Sequence, residues 1–95
     1  MDQQDLRKYF GEMLKKEGYI SSDSMAVFGK LIRLTLDYRD RLAKEKGEIL
    51  TVEETRIGLD AYLIALRENR LPEGLTDKIA GLVKFWLKEI NGKAF

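Results

Sequence analysis

The 95-residue sequence contains no cysteine, no histidine and only one proline. Thiolate and imidazole are the usual zinc ligands and the usual partners of catalytic nucleophiles. Their absence therefore excludes the common zinc sites, Ser-His-Asp and Cys-His arrangements, and haem or iron-sulfur ligation through these residues. Disulfides are excluded as well. The first residues are polar and acidic, and no apolar run approaches the ~18 residues of a membrane span. These features predict a cytoplasmic protein with no membrane segment.

The charges of the chain nearly cancel, since 17 basic residues face 16 acidic ones. Such a balance gives no overall field that would attract nucleic acid or anionic lipid, so binding of this kind needs a local patch. Hydrophobic residues make up 44% of the chain, which is enough to fill a core, and we expect one domain over residues 1–95. The high charged fraction, 35%, hints at a thermophilic source.

Apolar residues recur at helical spacing in four stretches, which account for most of the chain. The sequence therefore predicts an all-α fold, a compact bundle of four helices at about 2–17, 22–46, 51–70 and 76–91.

Local signals mark the ends of these helices. Gly47 ends the second one, and Thr51 with Glu54 three residues later has the spacing of a capping box that opens the third. Residues 71–74, Leu-Pro-Glu-Gly, predict a type I turn with proline in its second position. Thr76 then caps the fourth helix.

The third predicted helix is apolar around most of its circumference, which is typical of a central helix or of one in a subunit interface. On the fourth helix, Phe85 falls away from the apolar face, beside Lys78, Lys84 and Lys88. We therefore expect self-association, most simply as a two-fold homodimer. The interface candidates are Ile57, Tyr62, Ile64 and Phe85.

Catalysis would have to depend on Asp, Glu, Lys, Tyr or Ser alone. The neighbouring Glu53 and Glu54 and the Asp37/Asp40 pair are the only paired carboxylates of interest. Glu54 is explained by the capping box, and basic residues flank the aspartates. The glycines are dispersed and form no phosphate-binding loop. We therefore predict no catalytic residue, no metal ligand and no cofactor.

Residues 3–10, Gln-Gln-Asp-Leu-Arg-Lys-Tyr-Phe, resemble the box by which archaeal and eukaryotic replication and repair proteins bind the sliding clamp. That box has a glutamine, an aliphatic residue three positions later, and then two aromatic residues. The resemblance implies that Leu6, Tyr9 and Phe10 fill a pocket of the clamp while Gln3 donates or accepts a hydrogen bond beside it. An amphipathic first helix produces the same spacing, so a place in the core is the alternative for these side chains.

Residues 5–66 resemble the histone fold more loosely. A short helix is followed by Ile20-Ser21-Ser22-Asp23-Ser24 entering a long helix, and then by Leu50-Thr51-Val52-Glu53-Glu54 entering a third. This resemblance implies a histone-like three-helix core with a fourth helix added. It also implies that two chains clasp each other and that four lysines contact DNA phosphates, namely Lys15, Lys16, Lys44 and Lys46.

The sequence therefore favours a non-catalytic protein-interaction module, in its boldest form an accessory factor of DNA replication or repair that contacts a clamp or polymerase. A histone-fold DNA-binding protein is the first alternative. A small helical inhibitor or immunity-type binding protein is the second, since it fits the size of the chain without any residue signature.

Overall fold

The structure, a computed structural model, describes Lys8, Gly11, Glu12 and residues 22–95, with the backbone alone for residues 22–28. The chain forms two compact units, residues 1–47 and residues 48–95. A single domain over residues 1–95 remains a prediction.

The described residues form three long helices and contain no strand: α1 is Ser22–Lys46, α2 is Val52–Glu68 and α3 is Asp77–Asn91. The all-α class is thus confirmed, with three helices found where four were expected. The first predicted helix, 2–17, lies outside the described residues except for Lys8, Gly11 and Glu12, whose backbone is helical. Among the described residues, no helix is both long enough and apolar enough to cross a bilayer.

Helix α1 has the bounds that the sequence predicts, Ser22–Lys46. It ends at Gly47, whose φ of 64° lies in the left-handed region that glycine adopts without a steric penalty. Its buried residues are spaced along one broad face: Leu31, Ile32, Leu34, Thr35 and Leu42. The fully buried Thr35 hydroxyl donates a hydrogen bond of 2.6 Å to the Leu31 carbonyl oxygen, which removes the cost of burying an unpaired polar group.

The capping box that opens α2 is confirmed. The Thr51 hydroxyl accepts a bond of 3.1 Å from the Glu54 N–H, and the Glu54 carboxylate accepts one of 3.0 Å from the Thr51 N–H. At the other end the helix stops at Glu68, two residues earlier than predicted. Asn69 takes up a left-handed conformation there, with φ 55° and ψ 36°, which asparagine tolerates better than most residues.

The turn between α2 and α3 differs from its prediction by one residue. Glu73 and Gly74 are its central positions, and Gly74 has a φ of 84°. A type II turn requires positive φ at its second central residue, whereas a type I turn does not, so glycine rather than proline determines the geometry. The predicted cap of α3 is confirmed, because the Thr76 hydroxyl accepts a bond of 3.3 Å from the Ile79 N–H.

Helices α2 and α3 pack against each other through a small residue and an aromatic pair. A Cβ atom at Gly58 would lie 3.2 Å from Leu82 Cδ2 and 3.6 Å from the Trp86 ring. Further along, the rings of Tyr62 and Trp86 meet edge to face with centroids 5.7 Å apart. The buried apolar side chains of α3 are Ile79, Leu82, Val83, Trp86 and Leu87. Burial of each such side chain contributes about 1.5–3 kcal/mol.

Candidate interaction surface

One side of α2 is exposed and carries charges of both signs together with two isoleucines. At 100° per residue its members fall within roughly a third of the helix circumference. We call this surface the α2 strip: Glu53, Arg56, Ile57, Asp60, Ile64 and Arg67. Ile57 is 38% exposed and Ile64 is half-buried, so the strip has apolar side chains within reach of a partner.

The charges of the α2 strip are only partly paired. Arg56 donates two hydrogen bonds to the Glu53 carboxylate, at 2.6 and 3.1 Å. The bond from Arg56 lowers the pKa of Glu53 below its ordinary value, and the slight desolvation of the carboxyl opposes this without reversing it. Within the described residues, neither Asp60 nor Arg67 has an ion-pair partner. With respect to the described part of the chain, the strip therefore presents one unpaired carboxylate and one unpaired guanidinium.

The segment that leads into α2 holds one large apolar side chain in solvent. Ile49 is 76% exposed, whereas the next residue, Leu50, is 2% exposed. The Lys78 ammonium of α3 donates a bond of 2.8 Å to the Ile49 carbonyl oxygen and also lies 2.8 Å from the Glu54 carboxylate. These bonds fix the backbone at Ile49 and join the starts of α2 and α3.

Glu54 is the carboxylate at the centre of this junction, and its side chain is 21% exposed. Burial favours its neutral form and raises its pKa. Hydrogen bonds from the Lys78 ammonium and from the N–H and hydroxyl of Thr51 outweigh that effect, so the pKa of Glu54 lies below its ordinary 4.5. Glu54 is therefore a structural anion at neutral pH.

The proposed interface role of Tyr62 is wrong, because this residue is 2% exposed. Its ring packs on Trp86, and its hydroxyl donates a bond of 2.8 Å to Asn91 Oδ1. A partner could reach Tyr62 only after α2 and α3 had separated. Ile57 and Ile64 remain accessible on the α2 strip.

The lysine-bearing face expected around Phe85 is also smaller than predicted. Phe85 is half-buried, and Lys84 and Lys88 are exposed. Lys78, in contrast, forms an ion pair with Glu54 and donates a hydrogen bond to the Ile49 carbonyl oxygen. Its side chain is 21% exposed. Two lysines of α3, not three, are therefore available to an anionic partner on this side.

The other predicted site residues are split between the described and the masked parts of the chain. Lys44 and Lys46 are exposed in the last turn of α1, where a cation also stabilises the negative end of the helix dipole. Lys15 and Lys16 lie outside the described residues. So do all four members of the clamp-box resemblance, Gln3, Leu6, Tyr9 and Phe10.

The described residues include no group of three acidic side chains placed to hold a metal ion. Asp40 pairs with its neighbour Arg39 at 3.3 Å, as the flanking basic residues suggest. A general acid at neutral pH needs a carboxyl whose pKa is raised, whereas the pKa values of Glu53 and Glu54 are lowered.

Sequence reasoning missed the junction of Lys78 with Ile49. The only signal is the position of Lys78 in the first turn of α3, where a cation opposes the helix dipole and a partner is needed to offset it. That signal does not say which residue is the partner, because the contact spans 29 positions of sequence.

No protein-family model, no curated protein and no solved structure matches this chain. The residues themselves are thus the only support for a function.

Proposed function

We propose that this chain is a non-catalytic protein-interaction module, and specifically an accessory factor that binds a sliding clamp through residues 3–10. The observation that carries the proposal is the agreement of all four box positions, Gln3, Leu6, Tyr9 and Phe10, with the clamp-binding pattern.

The few described residues near the box agree with such a role. Lys8, Gly11 and Glu12 have helical backbone, and the clamp-binding box works as a short helical turn. Lys8 and Glu12 are exposed. On a helix Lys8 lies on the side opposite the stripe formed by Leu6, Tyr9 and Phe10, whereas Glu12 lies beside that stripe, about 60° from Tyr9. The exposure of Lys8 is expected both for clamp binding and for a core position of the stripe.

Two of the described carboxylates, Glu53 and Glu54, favour a structural role over catalysis. Glu53 and Glu54 have lowered pKa values, and Glu54 is held by three hydrogen-bond donors within this chain. A carboxylate that already accepts such bonds is a poor proton donor or acceptor for a substrate at neutral pH.

The test compares the full chain with its Tyr9→Ala/Phe10→Ala double variant in binding to the sliding clamp of the source organism, by isothermal titration calorimetry. We expect the variant to lose about tenfold or more in affinity, because aromatic anchors dominate contacts of this kind. Lys8→Ala is the matched control, since Lys8 lies inside the box at a position that the pattern leaves open.

Thermal unfolding followed by circular dichroism separates the two roles of the stripe. Clamp binding predicts that the double variant melts close to the parent chain. A variant that unfolds, or one that binds the clamp as tightly as the Lys8→Ala control, would assign Tyr9 and Phe10 to the core and overturn the proposal.

A histone-fold DNA-binding protein remains the alternative, and the exposure of Lys44 and Lys46 favours it. The two proposals differ in whether the chain binds duplex DNA. Binding to duplex DNA that weakens steeply with salt and depends on these two lysines would support the alternative. A small helical inhibitor or immunity-type protein is the second alternative, and it has no residue signature.

A further inference from the structure

We propose that the α2 strip is a contact between two copies of this chain, which meet antiparallel about a two-fold axis beside Ile64. The proposal deepens the interaction function proposed above, because it names a second copy as one partner and leaves residues 3–10 to another.

The charges of the strip are complementary to themselves. Asp60 and Arg67 are seven residues apart, which is about 10 Å along a helix, and Ile64 lies between them on the same side. Reversing the helix direction exchanges the acid with the base. In an antiparallel pair each Asp60 therefore faces the Arg67 of the second copy, while the two Ile64 side chains meet at the axis. An interface of this isologous kind needs self-complementarity.

The exposure of Asp60 and Arg67 within one copy supports their pairing across the dimer. Both side chains are exposed, and in the described part of the chain neither has an ion-pair partner. Glu53 and Arg56 already bind each other on the same strip, so they have less to gain from a second copy. Complementary charges across an interface determine register and exclude other pairings.

Another antiparallel register is disfavoured by the same charges. Facing Ile57 with the Ile64 of the second copy would match the two isoleucines of the strip. It would also bring the two Asp60 carboxylates together at the axis, where like charges repel. The register with Ile64 at the axis avoids that repulsion and forms two Asp60–Arg67 pairs.

The apolar area of the strip makes this a weak dimer. In this register Ile57 faces a position past the end of α2 at Glu68, so the half-buried Ile64 supplies most of the apolar contact, and one pair of helices buries less surface than a standard interface. We therefore expect the dimer to form only at high protein concentration. Because its charge pairs lie at the surface, the dimer should weaken as salt is added.

Sedimentation equilibrium over a range of concentrations tests the proposal. The parent chain should rise above the 11.0 kDa of one copy as concentration increases. Asp60→Arg and Arg67→Asp should each weaken the dimer by about tenfold, because each replaces two attractions by two repulsions. The double variant Asp60→Arg/Arg67→Asp should restore it, since the pairs form again with their signs exchanged.

Lys84→Glu on α3 is the control, because it changes the charge by the same amount away from the strip. A parent chain that stays at one copy at millimolar concentration overturns the proposal, and so does a dimer that neither single variant weakens. Residues 3–10 are unchanged in every variant. A parent chain that forms no dimer but binds the clamp would contradict this inference alone. A parent chain that dimerises through the α2 strip but does not bind the clamp would contradict the clamp proposal alone.

Discussion

Replacement of Lys78 by methionine isolates the junction between the starts of α2 and α3. Methionine keeps most of the apolar stem and removes the ammonium, which lies 2.8 Å from both the Glu54 carboxylate and the Ile49 carbonyl oxygen. The variant leaves the Thr51–Glu54 capping box in place. Its loss of stability therefore measures what Lys78 contributes by joining the two helices.

The size of the loss follows from the exposure of the pair. A hydrogen bond to a charged group contributes about 1.5–3 kcal/mol when buried, and an exposed ion pair contributes about 0–1 kcal/mol. The Lys78 and Glu54 side chains are each 21% exposed, which places them between these limits. We expect Lys78→Met to lower the free energy of unfolding at pH 7 by about 1.5 kcal/mol, and the melting temperature by roughly 6–12 °C.

The loss should depend on pH because Glu54 titrates. Its pKa in the folded chain lies below the ordinary 4.5, so its ionised form stabilises the fold above that pH. This contribution is lost as the pH falls through the lower, folded-state pKa. The difference between the parent chain and Lys78→Met should thus be constant above about pH 5.5 and shrink below pH 4.5. The part that remains belongs to the bond with Ile49.

Urea unfolding followed by circular dichroism at pH 7 and pH 3 measures both effects. Lys84→Met is the matched control, since Lys84 lies on the same helix, is exposed, and has no ion-pair partner among the described residues. We expect the control to stay within about 0.5 kcal/mol of the parent chain. The reasoning would be refuted if Lys78→Met were no less stable than Lys84→Met at pH 7, or if its deficit were as large at pH 3.

Two further substitutions test the packing of α2 on α3. Tyr62→Phe removes the bond of 2.8 Å to Asn91 Oδ1 and should cost about 0.5–1 kcal/mol, since water can replace the donor at the exposed Asn91; combining it with Asn91→Ala should add almost nothing. Gly58→Ala should be nearly neutral because a helix-propensity gain of about 1 kcal/mol offsets a tight contact, whereas Gly58→Leu should cost about 3 kcal/mol or more, both read from urea unfolding. Equal stability of the alanine and leucine variants would contradict the close approach at Gly58.

Local features of the fold could be predicted from the sequence because their partners lie within a few residues. The capping box needs only the three-residue spacing of Thr51 and Glu54, and the end of α1 needs only Gly47. The predicted position of the turn before α3 was wrong by one residue. Proline in the second position predicts a type I turn, whereas the positive φ of Gly74 is that of a type II turn.

Contacts between helices could not be predicted in the same way. Tyr62 has the spacing of either a core or an interface residue, and only the packing of α3 places its hydroxyl on Asn91, 29 positions away. From the sequence, Lys78 is one of several lysines on the same side of α3. Only the packing of α2 against α3 places Glu54 beside it. For the candidate surface, periodicity placed Ile57 and Ile64 together. Which charges near them stay unpaired depends on rotamers that periodicity does not determine.

The bond between Tyr62 and Asn91 also bears on how long the chain remains chemically intact. Asn91 precedes Gly92, and an asparagine before glycine is prone to lose ammonia when the following backbone nitrogen attacks its side-chain amide carbon. Here the Gly92 nitrogen donates to the Lys88 carbonyl oxygen at 3.0 Å, and the amide oxygen of Asn91 accepts from Tyr62 at 2.8 Å. Each of the two reacting groups is thus held by a hydrogen bond that ring closure would have to break. We therefore expect the folded chain to lose ammonia at Asn91 slowly, and a variant with a loosened end of α3 to lose it faster.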